Sequence, residues 1–544
     1  MLLLSRLRIS NFHDNFSGRL PMQDNDHTKR RRLQNDSSSP ACSRALFWTL
    51  SATAGMAVAQ PTGCTGYDIP IQSGIADTEA GPDMIPPPPG CDATAEPKDA
   101  PLCVVDAYAV FVSTEAGDDS NPGTKDQPVA SIGATLPLLS TPDGMKPRIY
   151  ICGAGTLNEH AELTRAVSLF GGFDCASWEY NGTKATVRSD GSAPALKLTR
   201  LPGAITVSDL RFEAQPGGVD PAVLSSIAVF TLNSTVTFER TELVAHVAAG
   251  GSHGENGETD TRAVTLGGDN ASSTIAGTGV ACICTTGGST TNGGDGGDVQ
   301  ANGSPGTSVP PVPNPASPND GVGGPWGTND CSTGTGHAGA SAPAGANGDA
   351  ITSPGTLTPA GWSPSNGNPG KAGGPGQGGG GGGGNGGAGG GGGCGGCGAS
   401  GGGGGQAGGS SVALLSYQST VTLNSCQLLT DQAGDGGQGG TGGSSMAGMS
   451  GGLGGVVGPD TAAGCGGGAG GAGGAGGAGS GGAGGISATI LYSGSQPTTD
   501  SDCTFTSTAA GAAMGGTGGT PGTNDGPYGL VGKVVSADDW TVTP

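Results

Sequence analysis

Large side chains and charges are scarce in this chain. Ten Phe, seven Tyr and five Trp are spread over 544 residues, and only 12% of residues are charged. Much of the chain therefore lacks the apolar surface that offsets ordering entropy in a conventional core. Lys and Arg number 22 against 44 Asp and Glu, and eight of the 22 precede residue 60. From residue 60 onward, 14 basic residues face 40 acidic ones, a net charge of −26. That balance excludes a nucleic-acid or anionic-membrane surface and attracts cations. The histidines His160, His246, His253 and His337 sit singly, without metal-ligand spacing. No apolar run reaches the roughly 20 residues of a membrane-spanning helix.

What the chain has in quantity is glycine, 114 residues, with 38 prolines and 14 cysteines. An apolar run, ALFWTLSATAGMAVA (45–59), follows the basic KRRR (29–32) and Arg44 and ends in the small-x-small Ala57-Val58-Ala59. This order is that of a secretory signal over 1–59, with cleavage before Gln60. A signal's basic region lies near its start, so Met22 is the expected initiator. The expected product is exported, extracellular or at the cell surface. Cys64, in PTGC, is a lipidation candidate, but Pro61 stands where a lipoprotein signal carries an aliphatic residue. Free secretion is therefore expected, with a lipid anchor as the alternative. Cys42 leaves with the signal, and thirteen cysteines remain in a compartment that permits disulfides. Residues 60–105 hold PPPP and many acidic groups, and they read as a stiff spacer in polyproline geometry.

The folded body opens at AYAVFVSTEAGDDSNPGTKDQPVASIGATLPLL (107–139), where a strand-like alternation meets a dense turn signal. Asp118, Asp119 and Asn121 offer oxygen ligands to calcium, but Asn-Pro-Gly chemistry favours an Asx turn there. The order of strand, GDDSNPGT and SIGATL, followed by ICGAGTLNE and SLFGGFD (151–174), resembles the opening of secreted right-handed parallel β-helix proteins of the pectin-lyase-like superfamily. The resemblance implies a first strand, a short N-terminal capping helix and a stack of coils. It also implies an enzymatic alternative, a polysaccharide lyase or hydrolase, in which Lys184, Arg188, Lys197, Arg200 and Arg211 would line a groove.

An internal repeat supports the stack. Apolar positions recur at Ile205, Val207, Leu210 and Phe212, at Val236, Phe238, Thr241 and Leu243, and at Val421, Leu423, Cys426 and Leu428. A weaker copy places Ile275, Val280 and Cys282, and a last one places Cys503 and Phe505. Each copy is two short strands around a bend. The expected fold is all-β, a right-handed parallel β-helix with long glycine-rich insertions, and a β-sandwich with disordered linkers is the alternative. Coils are expected over 106–284, insertions over 285–410 and 432–485, a coil over 411–431, and the last coil and tail over 486–544.

The insertions resemble the glycine-rich region of the polymorphic GC-rich-sequence (PGRS) surface proteins. Part of the last, GGAGGAGGAGGAGSGGAGG, has the three-residue period of polyproline-II-like helices, which pack side by side. Flexible loops are nevertheless the expected state for such composition. Cys394 and Cys397, in GGCGGC, have C-x-x-C spacing, for which a local or inter-loop disulfide is expected over metal. Neighbouring coils of a β-helix would also bring Cys152 to Cys175 and Cys426 to Cys503 within the ~5.5 Å Cα separation of a disulfide. The functional expectation is a scaffold that presents acidic glycine-rich loops in adhesion or matrix formation. Extracellular polysaccharide or cell-envelope matrix would be its partner, with no cofactor except calcium at most.

Overall fold

The structure, a computed structural model, describes residues 83–543 apart from 192, 219–222, 261–266, 286–287, 314 and 328–329. The signal segment, Met22, Pro61 and Cys64 lie outside the described residues.

The chain is all-β, and nearly all of its sheet is parallel. It runs in repeated circuits, each giving one strand to each of three sheets. One circuit comprises Ile205–Ser208, Leu210–Glu213 and Ser226–Leu232, and the next comprises Thr235–Glu239, Glu242–Val244 and Ser411–Tyr417. The circuit after that comprises Thr420–Asn424, Gln427–Thr430 and Ser487–Ser493. The repeat found in the sequence is the register between circuits: Ile205 pairs with Val236 and Val236 with Val421. Inward side chains stack into continuous ladders. In the first sheet Val110, Ile149, Leu169, Val207, Phe238 and Leu423 succeed one another. In the second the order is Leu157, Val187, Phe212, Leu243, Leu428 and Phe505. Burying one such side chain contributes ~1.5–3 kcal/mol, so the ladders carry the stack.

Corners repeat as faithfully as strands. Asp209, Arg240 and Ser425 adopt left-handed φ of 55°, 50° and 53° between the first two sheets. Arg200, Asn233 and Gln418 do the same, at 47°, 45° and 48°, between the third sheet and the first. Such φ is uncommon for residues other than glycine. Here each corner N–H is held by the next circuit, as in Arg240 N to Asn424 O at 2.9 Å and Asn233 N to Tyr417 O at 3.0 Å.

The helix Ile132–Leu138 closes the start of the stack, laying Ile132 into the common core beside Leu139. Its first N–H groups explain the motifs that open the body. Glu159, ending ICGAGTLNE, accepts from Ile132 N at 2.8 Å and Gly133 N at 3.0 Å. Asp119, in GDDSN, accepts from Ala130 N and Ser131 N at 2.8 and 2.9 Å.

Three expectations are corrected. The Pro-rich segment does not stand off as a spacer over its described part: Cys91–Cys103 staples it, and buried Arg148 donates to Ala93 O and Ala95 O. Arg240 also pairs with Glu96 from that segment. Second, Ile275, Val280 and Cys282 form no circuit. The strand over Ser226–Leu232 pairs directly with Ser411–Tyr417, and Ile275 is 70% exposed. The stacked strands of the first half therefore end at Val244, not 284, and Cys282 belongs to a small antiparallel sheet of Ala281–Ile283, Thr290–Asn292 and Thr307–Val309. Three apolar residues without the second bend do not make a circuit.

Third, the glycine tracts are ordered. Every long insertion, 245–410, 431–486 and 508–530, leaves at the same corner, between the second and third sheets. The inter-circuit hydrogen bonds do not stop where the strands end. Ala245 N bonds Leu429 O, and the series continues through Ala248 to Gln432, Gly251 to Asp435, Gly254 to Gln438 and Gly257 to Thr441, each at 2.7–2.9 Å. The step is three residues, the period of polyproline II. The returning chain does the same, from Gly390 to Cys465 through Gly393 to Gly468, Gly396 to Gly471 and on to Gly408 with Ala483. Outgoing and returning runs cross-bond antiparallel, as in Gly437 N to Gln406 O at 2.7 Å and Gly440 N to Gly403 O at 2.8 Å.

Close approach is what demands glycine. A Cβ on Gly470, Gly473 or Gly476 would meet the carbonyl oxygen of Cys394, Cys397 or Ser400 at 2.0, 2.0 and 1.9 Å. The neighbouring glycines Gly471, Gly474 and Gly477 face Ala340, Pro343 and Ala346 oxygens at 2.0 Å each. Only the third position of each triplet has room for the methyl of Ala472, Ala475 or Ala478, which is the sequence's GGA period. A prediction follows for Gly405, whose Cβ would lie 2.0 Å from Gly437 O, against Gly511, which has nothing within 4 Å. Gly405→Ala is expected to cost ~1–3 kcal/mol by overpacking and to speed amide exchange along 434–443 and 476–485. Gly511→Ala should leave both denaturant midpoint and exchange unchanged.

Candidate functional site

Outward positions on the second sheet carry opposite charges in cross-strand register. Arg211 stands opposite Glu242, and Arg188 opposite Glu213. Lys184 Nζ lies 2.9 Å from Glu242 Oε1, and Arg211 Nη1 lies 3.0 Å from Glu242 Oε2. Glu213 is reached by Arg188 Nη2 at 3.2 Å, Arg211 Nε at 3.3 Å and His246 Nε2 at 3.0 Å. On the third sheet Lys197 Nζ meets Glu162 Oε1 at 3.0 Å. Four of the five basic residues proposed for a groove are thus held by carboxylates, and Lys197 lies apart from the other three. Arg200 occupies a corner and has no ion-pair partner among the described residues.

The electrostatics run against acid–base catalysis on this face. Burial alone would raise the Glu213 carboxyl, but hydrogen bonds from His246 and Arg188 and the nearby guanidinium charges outweigh it and hold it below its ordinary value. Glu242 is likewise held low, burial being outweighed by Lys184 and Arg211. A general acid needs the opposite shift. What this arrangement does chemically is pin successive circuits together on their flank.

The calcium candidates are engaged in the turn. Asp118 Oδ1 accepts from Ser120 N and Oγ at 2.8 and 2.7 Å, which holds that carboxyl below its usual value. Asp119 accepts from Ala130 and Ser131 as above, and Asn121 Nδ2 donates to Pro128 O at 2.8 Å. The three residues serve the turn and the helix start.

The cysteines divide into staples and thiols. Cys152 and Cys175 form a disulfide with Cα atoms 5.0 Å apart. Cys394 and Cys397 are not bonded to each other. They pair with Cys282 and Cys284, fastening the small antiparallel sheet to the glycine module, and Cys331 pairs with Cys465 within it. Asp260 lies within 4.8 Å of Cys284 and Cys397, but the disulfide leaves no thiolate there for a metal. Cys426 and Cys503 remain thiols, so the bond expected between them is not formed. They stack one circuit apart, with Cys426 N 3.3 Å from Cys503 Sγ. Burial pushes the Cys503 thiol up to about 12, which keeps it a poor nucleophile.

Sequence reasoning missed the carboxylates Glu162, Glu213 and Glu242, although alternation along LRFE and ATVR places Arg and Glu on the outer face. It also missed Trp362, which lies in an insertion read as structureless. No helix among the described residues is long and apolar enough to cross a membrane.

Because Glu213 and Glu242 have depressed folded values, their contribution is present above the ordinary glutamate pKa of ~4.3 and is lost as pH falls through the folded ones. The denaturant midpoint of the wild type should therefore fall below about pH 4.3. The Glu213→Gln, Glu242→Gln double variant should start lower at pH 7 and show a shallower acid slope. Equal slopes in the two proteins would contradict this account.

Compared with known proteins, the chain matches no family model, no curated protein and no solved structure.

Proposed function

We propose that the chain is a parallel β-helix that works as an exported scaffold, with a role in adhesion or in an extracellular matrix. The observation that carries this reading is the continuity of the hydrogen-bond ladder from the stacked strands into the glycine runs. A ladder of that kind makes a rigid arm of sequence whose composition suits a flexible one. Support also comes from five disulfides in the described body, which suit an oxidising compartment. The acidic balance keeps such a body soluble and sets its partners as neutral or cationic surfaces. The handedness and the superfamily suggested by the opening motifs belong to the same proposal.

The rival reading, a polysaccharide lyase, requires a free base and a cation to neutralise a uronate carboxylate. Pairing of Lys184, Arg188, Lys197 and Arg211 with glutamates weakens it. Two measurements separate the readings. Incubation with a broad-specificity protease should leave 285–485 intact without reductant and open it after disulfide reduction. Polygalacturonate and alginate should yield no unsaturated products, with or without calcium. Immediate cleavage throughout the glycine runs would sink the scaffold, and unsaturated product abolished by Arg211→Ala would establish the lyase.

A further inference from the structure

Where the glycine module lies against the third sheet, the chain builds a cleft of about 280 Å³ that no expected function uses. It is bordered by Leu224 and Ile227 from the sheet side, Trp362 and Pro364 from a hairpin, and Asn366 and Gln406 from the module. The hairpin pairs Gly355–Thr358 with Gly361–Pro364. It lays Trp362 on the outer apolar face of the sheet, in a T-shaped contact with Trp540 at 6.1 Å. A Cβ on Gly355 would come within 2.6 Å of the indole, so the ring is held close to the hairpin backbone. Its Nε1 is closed to water, so the cleft meets ring carbon rather than the indole N–H.

The polar groups are set with equal definition. Asn366 Oδ1 accepts from Ala407 N at 2.8 Å. Gln406 Oε1 accepts from Ser252 N and Oγ at 3.1 and 2.9 Å. With each oxygen committed, the amide orientation is fixed, and both NH₂ groups remain as donors without a partner among the described residues. Ser225 Oγ already accepts from Ser410 N at 2.9 Å, which leaves its hydroxyl proton free to donate. Among the described residues, no Lys, Arg, Asp or Glu lines the cleft.

The described lining gives no counter-charge to a uronate, a phosphate or an amine, and burying one unpaired is costly. A ligand that suits it presents an apolar face to an aromatic ring and hydroxyl acceptors to fixed N–H donors. That is the chemistry of a pyranose, and the volume lies at the lower edge of small-molecule sites, ~300–1,000 Å³. We propose that this cleft binds a neutral saccharide unit. The proposal rests on the adhesion reading for its ligand class and on the cleft geometry for its place.

The test is calorimetric titration of the full secreted chain with maltohexaose, cellohexaose, chitohexaose and hexagalacturonate. One of the three neutral oligosaccharides should bind with a Kd of ~1 mM or tighter, and hexagalacturonate should not. Gln406→Glu and Asn366→Asp keep the accepting oxygen and remove the donor, and each should weaken binding ~10-fold or more with unchanged circular dichroism. Trp362→Phe should shift affinity as well, whereas Trp326→Phe, exposed and not among the residues lining the cleft, should not. Binding of a neutral oligosaccharide that survives the Gln406 and Asn366 variants would overturn the cleft and leave adhesion standing. No binding of any neutral oligosaccharide at ~10 mM, ten times that Kd, would overturn both, and the protease result alone would then decide the scaffold.

Discussion

The backbone hydrogen bond from one circuit to the next is the interaction on which the rest of this structure depends. In the strands it has the usual two-residue alternation of a parallel ladder, and side chains alternate between core and surface. Beyond the strand ends it persists with a three-residue step. Ala245 to Leu429 and Ala248 to Gln432 are successive rungs of one ladder, although the first belongs to the end of a sheet and the second to a glycine run. The stack sets the spacing of the runs because all of them emerge from one corner of successive circuits. Runs anchored side by side at one strand's separation have little choice but to bond their neighbours.

That constraint dictates composition. A run with neighbours on two or three sides brings carbonyl oxygens to about 2 Å from where a Cβ would stand, as at Gly391 and Gly467. Glycine is required there by close approach, even though it gives up more conformational entropy than any other residue on ordering. Positions with room for a side chain carry Ala, Ser, Asn and Thr, and several of the polar ones complete the bonding. Asn256 Oδ1 accepts from Thr441 N at 2.9 Å, Asn347 Oδ1 from Ala478 N at 2.9 Å, and Asn270 Oδ1 from Leu453 N at 2.7 Å. These caps serve backbone donors that the three-residue ladder leaves over.

Much of the stack was legible in the sequence because its signal is local and repeated. Ile205, Val236 and Val421 mark equivalent strand positions, and the two residues between Val207 and Leu210 hold the left-handed corner at Asp209. The ordering of the glycine runs was not legible, because composition alone cannot separate a glycine with a neighbour 2 Å away from one in open solvent. That depends on which other runs lie beside it, a property of the circuit rather than of the run. The same gap hid the docking of the Pro-rich segment. Its anchor, Arg148, reads as an ordinary outward strand residue until Ala93 and Ala95 are seen above it. Trp362 was hidden for a related reason: an isolated hairpin in low-complexity sequence has no period to betray it.

Glycine gives up more conformational entropy on ordering than any other residue, and hydrogen bonds that merely replace water contribute little net stability each. Constraint of the unfolded state adds to those bonds. Cys282–Cys394 and Cys331–Cys465 span 112 and 134 residues, and closing loops of that size removes ~4–5 kcal/mol of unfolded-chain entropy apiece in the loop-closure model. Cys284–Cys397 adds far less entropy, because its loop is already closed by the bridge beside it. Its contribution is to fix the direction of the 394–397 run against the antiparallel sheet, which two points define and one does not. On the proposed reading the arm's rigidity draws on these bridges, and they persist in an oxidising compartment. Export and scaffolding are for that reason one proposal and not two.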